Sequence, residues 1–475
     1  MTVPATSGLY DRRAEWSAGE QPFRARRGAR PAPPNIVFIL GDDLGWGDLG
    51  VYGSLHHQTP RIDTLARDGI RFTHAYSTSA TCSPTRIGLY TGRHPGRLVA
   101  GLEEPLRTRD EHHGIPHDHP TLPSLLRDGG YRTAMFGKWH CGWLPWFSPI
   151  KAGFETFFGN LDGAMDYFSH LGTDGKPDLY EGEVPVERIG YYTDLVADRA
   201  ADYIAAAGDE PFYLQVNFTA PHWPWEGPED QAVSDKVTAA ADAKGPLAAL
   251  FHFEGGSLEA YSRMVAALDV GVGRILDTLD ERGIARDTIV CFGSDNGGER
   301  YAFLWPFVGE KGDLEEGGIR IPFLVRWPAA VHGGQLSDTP NVTTDWTATL
   351  LDAAGVAPAA SHPLDGHSLL AWLLDGDTPP QRDLLWRTRT QGAVRRGTHK
   401  LLIDHHGKAR PPFRPNRPSY RLFDVTLDGR EMADIAGEHP ELVNELRAVW
   451  EAFDAKQLPY PAATSRPELR PGTAD

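Results

Sequence analysis

The strongest constraint on how this chain can fold is a repeated alternation of short, β-branched apolar runs with segments of helical period. Asn35 to Leu40 is such a run, stopped by Gly41, and its lack of polar alternation predicts a strand buried on both faces. Thr59-Pro60, then Ile62, Leu65 and Ala66, then Gly69, supply an N-cap, a proline at the first helical position and a glycine stop, which predicts a helix. The pattern recurs as helix Thr121 to Arg127, strand Arg132 to Phe136, helix Thr193 to Ala207 and strand Phe212 to Phe218. A long helix follows, with Leu258, Tyr261, Val265, Leu268, Val272, Ile275 and Leu279 on one stripe, and after it a strand from Thr288 to Phe292. Strands alternating with helices predict an α/β fold: a large, mostly parallel or mixed sheet flanked by helices on both faces.

The character changes after about Asp375. Leu384 to Trp386, Gly392 to Val394, Lys400 to Ile403 and Tyr420 to Phe423 read as short strands joined by turns. Pro440 to Phe453 reads as a closing helix with Leu442, Leu446, Val449 and Phe453 facing inward. For a chain of 475 residues this predicts an N-terminal arm (1–34), a catalytic α/β domain (35–375) and a smaller C-terminal α+β domain (376–475). The one compositionally biased segment is the Arg-, Pro- and His-rich loop from His405 to Pro418.

A formal net charge of −17 argues against nucleic acid as a partner. Cys82, Cys141 and Cys291 are too few for a disulfide framework, which favours a reducing compartment. The first thirty residues contain no apolar stretch that could act as a signal-peptide core, and no stretch approaches a membrane span, so the expected location is cytoplasmic with no membrane partner. An anionic substrate would need a local cationic pocket inside this negative field.

The polar clusters follow the predicted strands. Asp42 and Asp43 come after the first, Lys138 and His140 after the strand ending at Phe136, His222 after that ending at Phe218, and Asp295 and Asn296 after that ending near Phe292. In an open parallel sheet the loops at the carboxyl ends of strands meet in one crevice, so these four clusters should converge. Asp42, Asp43, Asp295 and Asn296 offer only hard oxygen ligands, which suits Ca2+ or Mg2+; each pair alone is also ordinary turn chemistry, and two pairs after two apolar strands point to metal. Lys138, His140, His222 and Arg86 supply a cationic lining. His112, His113, His117 and His119 lack a zinc-site spacing and read as a solvated rim. Trp143, Trp146, Phe147 and the stretch Asp162 to His170 read equally as substrate wall or as core.

The run from Cys82 to Gly92, Cys-Ser-Pro-Thr-Arg-Ile-Gly-Leu-Tyr-Thr-Gly, continued by Arg93, resembles the signature in which sulfatases convert a cysteine to formylglycine. Tyr90 stands where leucine is usual and Thr85 where serine is frequent. With Gly41-Asp42-Asp43, Gly137-Lys138-Trp139-His140, Ala220-Pro221-His222, Ser294-Asp295-Asn296-Gly297 and Lys311 before Glu316-Gly317-Gly318-Ile319-Arg320, the chain is similar to type I, formylglycine-dependent sulfatases of the alkaline phosphatase superfamily. Arylsulfatases and N-acetylgalactosamine sulfatases are the nearest in pattern.

The resemblance implies a site in which Asp42, Asp43, Asp295, Asn296 and residue 82 surround a Ca2+, or Mg2+ in its place. It implies that Cys82 becomes formylglycine through a formylglycine-generating enzyme, with Arg86 holding the aldehyde hydrate. Lys138 would line the sulfate, Asp295 would activate the attacking hydroxyl, His222 and Lys311 would protonate the leaving oxygen, and His140 would deprotonate the second hydroxyl so that sulfate is expelled. The expected substrate is a small-molecule or saccharide sulfate ester. A phosphonate monoester hydrolase or phosphodiesterase on the same scaffold is the alternative reading. A two-zinc phosphatase is disfavoured because Asp295 is followed by Asn296 where a zinc site would want a histidine.

Overall fold

The computed structural model describes residues 20–26, 31–252, 255–379, 381–404 and 419–461. The strand predicted at Asn35 spans Asn35–Gly41 and lies at the centre of an 11-stranded sheet. It pairs in parallel with Thr288–Ser294 on one side and Phe212–Asn217 on the other, followed by parallel Arg132–Gly137 and Thr156–Gly159. Phe323–Arg326, beside Thr288–Ser294, is antiparallel, as are Tyr180–Glu181 and Val184–Pro185 at the far edge, so the sheet is mixed. Within the segment read as an arm, Gln21–Pro22 adds a short strand parallel to Gln335–Ser337, and Glu20 reaches the buried Arg71 with both carboxylate oxygens, at 2.9 and 2.6 Å.

The continuous apolar run of the central strand is explained by its two covered faces. Val37 and Ile39 pack into one core with residues of the helices Pro60–Arg67, Tyr192–Ala205 and Leu258–Glu281. Ile36, Phe38 and Leu40 pack into a second core with Cys82–Thr91, Leu122–Asp128 and Thr343–Ala354. A fully buried aliphatic or aromatic side chain contributes about 1.5–3 kcal/mol, so burial on both faces is what fixes the strand ends in space. The helix Leu258–Glu281 buries the predicted stripe except Leu258, which opens the helix and stays exposed, while the Ser257 hydroxyl caps it by accepting the Ala260 N–H at 3.0 Å. Among the described residues, no helix is long and apolar enough to cross a membrane.

The parallel register has a functional consequence. Gly41 sits opposite Ser294, Leu40 opposite Asn217, and Gly137 opposite Asn217, so four chain segments leave the sheet at one level.

The C-terminal region is an antiparallel sheet of Asp383–Arg387, Gln391–Arg396, His399–Asp404 and Tyr420–Asp424, covered by the helix Pro440–Asp454. Leu446 is buried as expected. Leu442, Val449 and Phe453 are only partly covered around it, and the helix is anchored instead by Trp450, whose indole N–H donates to the Trp386 carbonyl at 2.9 Å. The biased loop His405 to Pro418 lies outside the described residues.

A buried charge cluster joins the small sheet to the segments carrying Tyr76 and Glu316. Lys400, on the small sheet, reaches Glu316 at 2.8 Å and Glu431 at 3.0 Å, and Glu316 also accepts from the Tyr76 hydroxyl at 2.7 Å and from Arg320 at 3.2 Å. Burial works against a charged Glu316, yet Lys400, Arg320 and Arg395 outweigh it and hold its carboxyl below the usual range. Removing one member of such a buried group strands the others. Lys400→Met is expected to cost about 3–5 kcal/mol of stability, read as a lowered urea midpoint, and an unchanged midpoint would show that the cluster does not hold the small sheet in place.

Candidate active site

The site is built where the in-register strands end. Asp42 and Asp43 follow Gly41, and Asp43 takes a left-handed backbone conformation, φ 60°, that turns the loop back over the sheet. Its N–H donates to Asp295 Oδ1 at 3.2 Å, and the next N–H, of Leu44, donates to Ser294 Oγ at 3.0 Å, so the loops after the two strands are stitched together. Asn296 Nδ2 adds a bond to Asp43 Oδ1 at 2.7 Å. Cys82 begins a helix whose ten residues, Cys82–Thr91, are all buried, and its Sγ lies 3.9 Å from Asp43 Oδ1. A residue at this position sits in the positive end of the helix dipole.

Three carboxylates meet three cations. Arg86 points its guanidinium at Asp295 Oδ2, with Nε at 3.0 Å and Nη2 at 2.8 Å, places Nη2 3.7 Å from Asp42, and donates Nη1 to the Lys138 carbonyl at 3.0 Å. Lys138 pairs with Asp42, and Lys311 pairs with Asp43 at 2.5 Å. Burial opposes the charge on Lys311, but the adjacent Asp43 carboxylate outweighs it and holds the ammonium protonated far above its usual range. Burial, followed by the neighbouring Asp42, raises Asp295. Burial also pushes the Cys82 thiol well up in spite of Lys138 and Lys311, so the side chain as encoded is a neutral thiol and a poor nucleophile.

The two histidines are fixed in different tautomers by their backbone partners. His222 Nδ1 lies 2.8 Å from the Trp223 carbonyl and therefore carries the proton, which turns the lone pair of Nε2 towards Asp43 Oδ2 at 3.5 Å. His140 makes the opposite choice, with Nε2 3.2 Å from the Leu106 carbonyl and Nδ1 buried without a partner. His140 has φ 52°, and Gly163 lies so close to its ring that an added Cβ would meet Cε1 at 2.6 Å. Both imidazoles are held neutral: burial lowers them well below the ordinary value, assisted by Lys138 at His140 and by Lys311 at His222.

Asp42, Asp43, Cys82 and His222 each offer a ligand atom within 4.8 Å of the others, the one such group among the described residues. Asp42 Oδ1 and Asn296 Oδ1 are buried acceptors without a hydrogen-bond partner. Buried orphan oxygens of this kind are costly unless something positive satisfies them, and a cation does. The oxygen-rich donor set fits a hard divalent ion.

The structure thus brings together Asp42, Asp43, Cys82, Arg86, Lys138, His140, His222, Asp295, Asn296 and Lys311. It adds His222 to the candidate ligands. Of the candidate wall, Trp143 and most of Asp162 to His170 are buried, while Trp146, at 60%, and Ser169 are exposed. His113 and His119 are bound to Asp110 and to the Pro120 carbonyl at the surface, consistent with a rim.

Sequence reasoning missed a polar file inside the sheet. The Tyr213 hydroxyl donates to Gln215 at 2.5 Å, Gln215 to Asn217 at 2.6 Å, and Asn217 to the Lys138 carbonyl at 2.8 Å. Gln215 and Asn217 interrupt an otherwise apolar strand, and that interruption was the available signal. Also missed was Asp48, which accepts from the Gly45 N–H, the Phe303 N–H and the Tyr261 hydroxyl, and so holds the loop after Asp43 from beneath.

Comparison with known proteins agrees with this geometry. The sulfatase family model matches residues 34–356. N-acetylgalactosamine-6-sulfatase of Mus musculus is 33% identical over 402 residues, covering 78% of this chain and 72% of the relative; arylsulfatase A of Homo sapiens is 29% identical, covering 87% and 86%. Among solved structures, Ps i-CgsB superposes with a TM-score of 0.78 at 28% identity, covering 90% of this chain and 94% of that one. A phosphonate monoester hydrolase of Agrobacterium radiobacter, at 20% identity and a TM-score of 0.59, shares the fold. The chain is therefore a sulfuric ester hydrolase and belongs to the sulfatase family, within the alkaline phosphatase superfamily.

Proposed function

We propose that this chain hydrolyses sulfate monoesters carried by a sugar or an aromatic alcohol, with Cys82 converted to formylglycine by a formylglycine-generating enzyme and one divalent cation, Ca2+ or Mg2+, beside it. The observation that carries this reading is the buried convergence of Cys82 with Asp42, Asp43 and His222, flanked by the orphan oxygens of Asp42 and Asn296. A sugar-borne substrate is supported by the names of the relatives and by the solved complex of Ps i-CgsB with k-i-k-neocarrahexaose.

Asp42, Asp43, Asp295 and Asn296 would hold the cation, whose contribution when bound is to polarise a sulfuryl oxygen. Formylglycine, as its hydrate, supplies one hydroxyl to attack sulfur and a second to expel sulfate. A plain serine lacks the second. Every other contribution comes from side chains already in place. Arg86 is immobilised by Asp295 and Lys138, so it presents a fixed positive charge beside residue 82. Asp295 is the carboxylate proposed to take the proton of the attacking hydroxyl. Lys311 stays protonated, which suits it to donate to the leaving oxygen; His222, with its lone pair turned inward, would act there only once charged by substrate binding. His140 keeps an unpartnered Nδ1 for the proton of the second hydroxyl.

Mass spectrometry of the tryptic peptide Phe72 to Arg86 is expected to show the aldehyde at position 82, and activity should track the converted fraction. Cys82→Ala should lose on the order of 10^4-fold or more in kcat. An unmodified thiol in fully active enzyme would overturn the proposal.

Elemental analysis after dialysis should find about one Ca2+ or Mg2+ per chain, falling in Asn296→Ala together with a loss of about 10^2–10^3-fold in kcat/KM. Two zinc ions per chain would replace this reading with a phosphatase one.

A sulfate monoester presents three non-bridging oxygens to Arg86, Lys138, His140, His222 and Lys311, whereas a diester must place a second organic arm where one of those contacts lies. A lost charge-assisted contact of about 1.5–3 kcal/mol gives roughly ten- to a hundred-fold preference for the sulfate monoester. The measurement is kcat/KM for matched nitrophenyl sulfate, phosphate diester and phosphonate monoester on one preparation, and a phosphorus ester that wins would establish the alternative activity.

A further inference from the structure

Behind the His222 loop lies a pair of acids that the reaction does not use. Asp166 and Glu226 are both fully buried. Asp166 Oδ1 accepts the Phe168 and Ser169 N–H groups at 3.0 and 2.7 Å and the Ser234 hydroxyl at 2.7 Å, and Glu226 Oε2 accepts the Tyr167 N–H at 3.3 Å. The remaining oxygens, Asp166 Oδ2 and Glu226 Oε1, are buried and receive no donor, and the Tyr167 N–H that Glu226 accepts belongs to the residue directly after Asp166. Two buried carboxylates brought to adjacent stretches of one backbone, each with an oxygen that receives no donor, cannot both stay ionised in such a place. We infer that Asp166 and Glu226 share one proton, and that the pair positions His222 by clasping its loop to the segment Asp162 to His170.

The charged groups nearby do not satisfy these oxygens. Among the described residues, no Lys or Arg lies within ion-pair distance of either acid. Arg263, on the helix Leu258–Glu281, is committed to Asp230 at 2.6 Å, Glu259 at 3.0 Å and Glu229 at 3.6 Å. The groups facing the pair are Asp230, which adds negative charge, the phenols Tyr167 and Tyr191, and His170, whose imidazole burial keeps neutral. A hard cation would need about six to eight oxygens, and the pair offers two free ones. One proton satisfies both. In agreement, burial and then Asp166 push the Glu226 carboxyl well above its ordinary range.

The link to His222 is short. The Tyr167 hydroxyl donates to the His222 carbonyl at 2.9 Å, while the Tyr167 N–H donates to Glu226 and the Tyr191 hydroxyl donates to the Glu226 carbonyl at 2.8 Å. Tyr167 thus ties the carbonyl of the proposed active-site histidine to the acid four residues later. Asp166 and Glu226 are positioning residues, and their effect on turnover rests on the sulfatase reading, whereas the shared proton does not.

Glu226→Gln replaces the acid by an amide that keeps a donor towards Asp166 at any pH, and Glu226→Ala removes the contact. A carboxyl raised in the folded state withdraws stability as pH rises from its unfolded value towards its folded one, so the wild type should lose ground to Glu226→Gln as pH climbs from the ordinary carboxylate range into the alkaline range. Thermal unfolding across that range is expected to show similar Tm near the acid end and a growing advantage for the glutamine variant towards the alkaline end, with Glu226→Ala less stable throughout. Infrared difference spectra of wild type against Glu226→Gln at neutral pH should show a protonated-carboxyl band belonging to the wild type. Sulfate ester kcat/KM should be kept in Glu226→Gln, with its alkaline limb moved upward, and fall about tenfold in Glu226→Ala. No protonated-carboxyl band, or a Tm difference that does not change with pH, would overturn the shared proton. Chelator-sensitive stability lost in Glu226→Gln would overturn it in favour of a bound cation. Neither the thermal nor the infrared readout uses turnover, so a failure of the sulfatase reading is seen separately in the activity arm.

Discussion

The site depends on burying Asp42, Asp43 and Asp295 together. A buried carboxylate without compensation costs several kcal/mol, and three in one crevice would not fold as ions without partners. Arg86, Lys138 and Lys311 provide the balance, each from a different chain segment, so the acid loops and the basic loops require one another. As encoded, the cluster is three negative charges against three positive. A divalent cation would leave it with a net positive charge, enough to draw a sulfate ester out of solution despite a chain total of −17. With such an ion bound, local field and global charge would be opposed.

That balance is achieved by strand register. Gly41, Ser294, Asn217 and Gly137 are level, and Gly137 is indispensable to the alignment: it has φ 106°, and a Cβ there would stand 1.9 Å from the Asn217 carbonyl oxygen. The close approach lets Lys138 follow Asn217 without a bulge, its N–H donating to the Asn217 carbonyl at 2.9 Å. The in-register pairing of five parallel strands therefore does for the site what a disulfide framework does in smaller proteins, and the three cysteines remain free and buried.

The alternating pattern was legible in the chain because burial of strands on both faces and of helices on one leaves a local signature. Ile36 to Leu40 and the stripe from Tyr261 to Leu279 are buried in the structure for the reason their spacing implied. The strand-end clusters were legible too, since topology alone sends them to one crevice. What could not be read were pairings between residues far apart in the chain. Glu20 with Arg71, Lys400 with Glu316 and Asp166 with Glu226 leave no periodic trace, because a single buried polar residue looks like a surface one until the fold places its partner. The closing helix shows the same limit. Its stripe was read from aliphatic spacing, but Trp450 anchors it through an indole hydrogen bond to Trp386, a contact set by the neighbouring sheet.

The small C-terminal sheet is more than a cover for the large one. Its Arg389 N–H donates to Glu104 Oε2 at 3.1 Å, and the hydroxyl of Tyr460, beyond the closing helix, bonds the other oxygen of the same carboxylate. Two residues on, the Leu106 N–H donates to Ser83 Oγ at 2.8 Å, beside Cys82, while its carbonyl fixes His140 through Nε2. The tautomer of His140, and with it the free Nδ1 of this proposed base, is therefore set by a segment that the C-terminal region clamps. A sheet-and-helix unit remote from the carboxylate cluster thus fixes which nitrogen of His140 stays free, and the large sheet alone would leave the Glu104 to Leu106 segment without its outer anchor.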